Sequence, residues 1–335
     1  MSAPFLAIIQ QGMTRYIMPI MITVANLSNI LSIIIFSRRH HRKSSCSIYL
    51  IFAAASAIVS VNWALIPGIK ALNNPPDVFS QFLVLCRLRG YILQVANNLF
   101  RTFLVLACAD RSAMSSSHVS IRSWATTKIA WRTVIVVIIA WLCIPSHLLI
   151  WETIENSKCS AFGTYATFYT TYTFIIIFTP LCLISLFAFL TLRNMKRLRR
   201  RVQPVNGQPT ITQGQMKKRD SDFVRMILAE VFVFLILTSA YPIVFLYTTV
   251  TANILNKSAT RLQIESFISF FSNSFLQYLN SGASFFIYMS TCHAFRSEVK
   301  QFILTGGRSN VIDSSIPRIT TQRELVQRKT TQNIS

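Results

Sequence analysis

Few side chains in this chain have the types and spacing that chemistry needs. The five histidines (His40, His41, His118, His147 and His293) fall in no metal-ligand spacing. Only His147 lies in an apolar stretch, and it reads as a core side chain. No G-x-G-x-x-G, Walker-type, H-E-x-x-H or G-x-S-x-G run is present, so no cofactor and no enzymatic reaction is expected. What remains is a set of charges and thiols placed around apolar segments. Cys86 and Asp110-Arg111 bracket one such segment, and Arg101 and Glu230 lie inside two others.

The elements that must position these groups are set by composition. The 335 residues are 52% hydrophobic and 13% charged, about half the charge of an ordinary soluble chain. This argues against a cytosolic enzyme and against disorder. The net charge of +22 does not indicate nucleic acid, because the charges cluster between long apolar stretches. Seven stretches approach the roughly 20 apolar residues a spanning helix requires: Ile17–Phe36, Ile48–Leu72, Phe82–Cys108, Ile129–Trp151, Tyr165–Leu192, Phe223–Val250 and Phe267–Met289. The expectation is an all-α, integral membrane bundle of seven transmembrane helices. Residues 1–16 form an exterior tail, 17–291 the spans, 292–304 a short amphipathic eighth helix and 305–335 a disordered cytoplasmic tail. The first span reads as an uncleaved start-transfer helix.

Orientation follows from the basic residues. With the N-terminus outside, 25 of the 33 Lys and Arg fall on the cytosolic side, seven outside, and Arg101 within a span. Positive-inside bias therefore favours N-out, C-in. Asn256-Lys257-Ser258 is a glycosylation sequon in an exterior loop, a pattern that chance also produces.

Cys86 and Arg111 are 25 residues apart, roughly 37 Å of helix at 1.5 Å per residue. One helix thus presents a thiol to the oxidising face and an acid–base pair to the cytosol. Cys159 is the other cysteine in an exterior loop, so a Cys86–Cys159 bridge is the natural pairing, with two free thiols as the alternative. Cys46, Cys108, Cys143, Cys182 and Cys292 read as core residues.

In order and spacing these features resemble the rhodopsin-like, or class A, G-protein-coupled receptors. Ser28-Asn29 resembles the family's span-one Gly-Asn. Cys86 and Asp110-Arg111-Ser112 resemble the disulfide Cys and the Asp-Arg-Tyr of span three. Trp141 with Pro145, Pro180 and Pro242 match spans four, five and six. Asn280 to Tyr288 resembles Asn-Ser-x-x-Asn-Pro-x-x-Tyr of span seven, and Phe295-Arg296 the eighth helix. The resemblance implies a plasma-membrane receptor that passes an extracellular signal to a heterotrimeric G protein. Arrestin and a receptor kinase are possible further partners.

The same resemblance assigns roles. Asp222, 20 residues before Pro242, stands where the family places the acid that holds the span-three Arg. An Arg111–Asp222 ion pair, with Asp110 as second partner and Tyr288 nearby, would close the inactive state until span six swings out. Pro180, Tyr241 and Pro242 would shape that motion. The chain also departs from the pattern. Ala57 replaces the span-two Asp of the family's sodium site, so no sodium effect is expected. Ser284-Phe285 replaces Asn-Pro, and Ser239-Ala240-Tyr241-Pro242 lacks the usual Trp.

Two further readings concern residues inside the spans. Arg101 and Glu230 lie at similar depths, and a lone charge at mid-membrane costs about 3 kcal/mol. Either they pair, or Arg101 points into a wet core while Glu230 faces another neighbour. Gln94, Asn97 and Asn98 share a helical face and, with Tyr241 and Gln277, form a polar, uncharged pocket for a small peptide or polar molecule. Helix-to-helix hydrogen bonding is the competing use of those amides. A multi-pass transporter or channel, and a non-signalling pseudo-receptor, remain the alternative functions.

Overall fold

A computed structural model describes residues 3–38, 44–73, 77–116, 118–155, 158–201, 211–251, 254 and 257–304, without the side chains of 3–4, 158, 197–201, 211–223 and 294. The chain divides into Met1–Arg296 and Ser297–Ser335. Helix dominates. In order come α1 (Ala3–Gly12), a π-helical turn (Met13–Ile17), α2 (Met18–Phe36), α3 (Ser45–Asn73), α4 (Leu83–Met114), the short α5 (Val119–Arg122), α6 (Thr127–Cys143) and α7 (His147–Trp151). A two-stranded hairpin, β1 (Thr153–Glu155) and β2 (Lys158–Ser160), leads to α8 (Gly163–Arg201), α9 (Ile211–Thr238), α10 (Ala240–Val250), α11 (Ala259–Phe270), a second π-helical turn (Phe271–Leu276), α12 (Gln277–Thr291) and α13 (His293–Leu304).

Six helical stretches are long and apolar enough to cross a membrane: Phe5–Phe36, Ser45–Leu72, Leu83–Met114, Thr127–Trp151, Gly163–Lys196 and Val224–Val250. The protein is a predominantly helical membrane protein. Residues 3–16, expected as a tail, are helical and run directly into the first span. The continuous helix of residues 259–291 does not join the six. Its composition explains why. Asn280, Ser281 and Ser284 face inward and are buried, so polar side chains lower its hydropathy without meeting lipid.

The breaks have identifiable causes. Thr126 caps α6 by accepting from the Ile129 N–H at 3.4 Å, and Ser258 caps α11 by accepting from Arg261 at 3.3 Å. Pro145 sits in the 3-10 turn between α6 and α7. Pro242 has no N–H to return to Thr238, and the helix interrupts between α9 and α10 at that place. Pro180 is accommodated inside α8.

α4 is the hub, touching α3, α6, α7, α8 and α9, while α12 packs on α2 and α9. The α2–α12 seam is close. A Cβ on Gly282 would meet Ala25 Cα at 3.3 Å, and Asn29 Nδ2 donates to the Ser281 carbonyl at 2.9 Å. Small residues that admit close backbones are the usual membrane solution. Large apolar side chains such as Ile139, Phe189 and Phe232 face outward, each more than half exposed. Two expected core cysteines join them: Cys143 and Cys182 are exposed. Where hydrocarbon surrounds a bundle, apolar side chains have no reason to turn inward, so an apolar stretch does not reveal its buried face.

Candidate functional site

One face of α4 carries Cys86, Gly90, Gln94, Asn97 and Arg101, recurring every three or four residues and therefore stacked along the helix. This face lines a cavity of about 450 Å³. Tyr169 and Thr173 of α8, Tyr241 of α10 and Gln277 of α12 close the other sides. The hairpin covers one end. Cys86 and Cys159 form a disulfide with Cα atoms 5.7 Å apart, and Ile154 pairs with Cys159 across the hairpin. The free-thiol alternative is thereby set aside.

The same contact places Glu152. Arg87 Nε donates to the Glu152 carbonyl at 2.9 Å, and one turn further along α4 the absence of a side chain at Gly90 admits the carboxyl. A Cβ there would lie 2.2 Å from Glu152 Oε2. That oxygen is buried and has no hydrogen-bond partner. Burial raises the Glu152 carboxyl to about 7, against the lowering pull of Arg89 and Arg87. A Glu152 carboxyl oxygen lies within 4.8 Å of both sulfurs. With both sulfurs in the disulfide, the trio offers one carboxylate and no thiolate to a metal.

At the other end of the cavity, Arg101 is 7% exposed. Its guanidinium carbon lies 5.9 Å from the Tyr241 ring centroid, a cation–π contact. Among the described residues it makes no hydrogen bond or ion pair. Glu230 is not its partner. The Glu230 carboxylate accepts from Ser284 Oγ at 2.9 Å and from Tyr288 Oη at 2.5 Å, all three buried. Of the two readings open for these charges, the Arg101–Glu230 pair is therefore not the one formed. Each charge found a nearer polar environment, Arg101 in the cavity and Glu230 against α12.

The amides divide between the two uses foreseen for them. Gln94 Nε2 donates to Tyr169 Oη at 3.5 Å, and Gln277 Nε2 and Ser60 Oγ both donate to Asn97 Oδ1, at 3.2 and 2.7 Å. These residues line the cavity while bridging helices. Asn98 does not line it. It is buried, and its Nδ2 donates to Gln94 Oε1 at 3.0 Å. The expectation of an uncharged pocket is corrected too, since Arg101 and Glu152 both line it. Arg101 was visible as a charge within a span. Glu152 gave no signal in sequence, because the disulfide and Gly90 bring it in.

At the opposite end of α4, Arg111 donates to Asp110 Oδ2 through Nε at 3.1 Å and Nη2 at 2.5 Å, and to Ser44 Oγ at 3.3 Å. Ser45 Oγ also donates to Asp110. Asn194 of α8 donates to the Ser112 carbonyl at 3.3 Å. Asp222 belongs to α9 but lies outside the described side chains. Asn256 lies outside the described residues, as does the tail from 305. Tyr288 stacks edge-on with Phe36 and Phe295 at centroid distances of 5.4 and 5.6 Å. Pro180 and Pro242 are buried. Ala57 is fully buried. Glu230, from a different helix, brings the carboxylate that meets Ser284.

A third polar cluster joins α10 to α11. Glu265 accepts from Lys257 at 2.7 Å, Arg261 at 2.9 Å and Tyr247 at 2.9 Å.

No family model matches the chain, and no curated protein is similar to it at a significant level.

Proposed function

We propose that this chain is a rhodopsin-like G-protein-coupled receptor of the plasma membrane. In this reading, residues 259–291 make the seventh crossing, the N-terminus is extracellular and the C-terminus cytoplasmic. A ligand, most simply a small peptide, enters the cavity beneath the hairpin. The response is an outward motion of α9 that opens a crevice beside Arg111 for a heterotrimeric G protein.

One observation carries the reading: the single helix α4 both lines the cavity at Gly90–Arg101 and carries the buried Asp110–Arg111 pair near its other end. A shift of α4 against α9 is therefore felt at both ends. The Glu230–Tyr288 bond supports it, because it ties α9 to α12 and gives the moving helix a discrete contact to break. The ligand must differ in affinity between the two arrangements for such coupling to work.

The test is nucleotide exchange on a panel of G proteins, with the full chain in lipid nanodiscs and pooled short peptides as the stimulus. Peptide-dependent exchange on at least one G protein supports the reading. Absence of exchange on all of them, or solute flux through the reconstituted protein, overturns it.

A further inference from the structure

Besides Arg89, which is ion-paired to Asp77 at 3.2 Å, the cavity is lined by two ionisable side chains of opposite sign, Glu152 and Arg101, both more than nine-tenths buried. Glu152 is 8% exposed and Arg101 is 7% exposed. Burying an unpaired charge is costly, and neither carboxylate nor guanidinium has a hydrogen bond among the described residues. Side chains whose only role is structural are paired when buried. Asp110 with Arg111 and Glu230 with Tyr288 follow that rule in this same bundle. Glu152 and Arg101 depart from it, and both face the same space.

Their separation sets a length. Glu152 packs at the level of Gly90, and Arg101 leaves α4 eleven residues later, roughly 16 Å along the axis. Side chains on a helix lean towards its N-terminus, which brings the guanidinium nearer to Glu152. The charges are therefore about 10–15 Å apart, the span of three to four extended residues at about 3.5 Å each.

We propose that the cavity binds an unblocked peptide of about three or four residues, its C-terminal carboxylate on Arg101 and its N-terminal ammonium on Glu152. This rests on the reading of the cavity as the ligand site. The cavity volume of about 450 Å³ suits a small ligand. Tyr241 holds the Arg101 guanidinium from one face by cation–π contact, which leaves its N–H edge directed at the carboxylate in the fork geometry that Arg offers. Gln94 and Asn97, between the two charges on the same face of α4, supply amide groups for the peptide backbone. Gly90 acts as a positioning residue, since any side chain there displaces the Glu152 carboxyl.

The experiment uses the full chain in nanodiscs and reads its thermal shift with pools of tri- and tetrapeptides. One pool is unblocked, one C-amidated and one N-acetylated, with free amino acids as a length control. The unblocked pool should raise the melting temperature. Amidation should weaken binding by about a hundredfold, the cost of removing one partner of a buried charge pair. Arg101→Gln should erase the preference for acid over amide and leave the preference for a free N-terminus. Glu152→Gln and Gly90→Ala should do the reverse. Should Arg101→Gln fail to fold, Arg101→Lys should keep the acid preference at reduced affinity. Equal shifts from the amidated pool, shifts as large from free amino acids, or no shift from any pool would overturn the assignment. Binding with this charge dependence but without nucleotide exchange retains the assignment and sinks the receptor reading. Exchange driven by a ligand lacking either charge does the opposite.

Discussion

Tyr288 of α12 donates a hydrogen bond of 2.5 Å to the Glu230 carboxylate of α9, deep among buried side chains. Among the described residues, this bond and the one from Ser284 tie the two helices through polar groups. A carboxylate held by two hydroxyls is an all-or-none contact between those helices, unlike a greasy surface that can slide.

Tyr288→Phe leaves Glu230 Oε2 unpartnered while keeping the ring in its aromatic cluster. Thermal stability should fall by roughly 1–3 kcal/mol, the cost of an unsatisfied buried acceptor. In the proposed receptor, basal nucleotide exchange should rise several-fold. A stability loss with unchanged basal exchange would make the bond purely structural.

Arg101 and Glu230 serve separate networks, so exchanging their charges should not restore function. The double variant Arg101→Glu with Glu230→Arg should be at least as unstable as the worse single variant. Recovery in the double variant, measured by surface expression and melting temperature, would show a coupling that the geometry lacks.

Glu152 supplies a pH dependence with a definite sign. Its carboxyl rises from an ordinary value of 4.5 to about 7 through burial. The folded protein then holds that proton more tightly than the unfolded chain does. Its stabilising contribution is complete below about 4.5 and is lost as pH rises through about 7. The slope should total about 1–2 kcal/mol after allowance for solvent contact. Glu152→Gln should flatten melting temperature against pH across that window. An unchanged slope would refute the shift.

The disulfide closes a separation of 73 residues and holds the hairpin over the cavity. Replacing Cys86 and Cys159 together by Ser should cost roughly 2–4 kcal/mol. It should also release Glu152 from Gly90, so ligand binding should weaken by more than the stability loss alone explains. Equal binding at a temperature where both proteins are folded would show that the hairpin does not shape the site.

Asp222→Ala tests the proposed hold on Arg111 from α9. Basal exchange should increase at normal surface expression, because Asp110 alone cannot tether α9 to α4. An unchanged basal rate would confine the Arg111 contacts to Asp110, Ser44 and their neighbours.

The sequence by itself determined the helical membrane character, six of the spans, the Cys86–Cys159 pairing and the Asp110–Arg111 end of α4. These depend on hydropathy, on which loops share a side, and on spacing along a single helix, all local or one-dimensional quantities. Hydropathy did not bring out residues 259–291 equally clearly, because Asn280, Ser281 and Ser284 spend their polarity inside the bundle.

Partnership between helices was decided only in three dimensions. Matching depth along two helices suggested Arg101 with Glu230, yet depth says nothing about rotation about each axis. Rotation turned Glu230 to Ser284 and Tyr288, Arg101 to the cavity, and Cys143 and Cys182 outward. Glu152 reached Arg101's cavity through a disulfide and a missing side chain at Gly90. A lipid-surrounded helix can bury either face with similar hydrophobic gain, so packing and polar satisfaction, not apolar patterning, chose the faces.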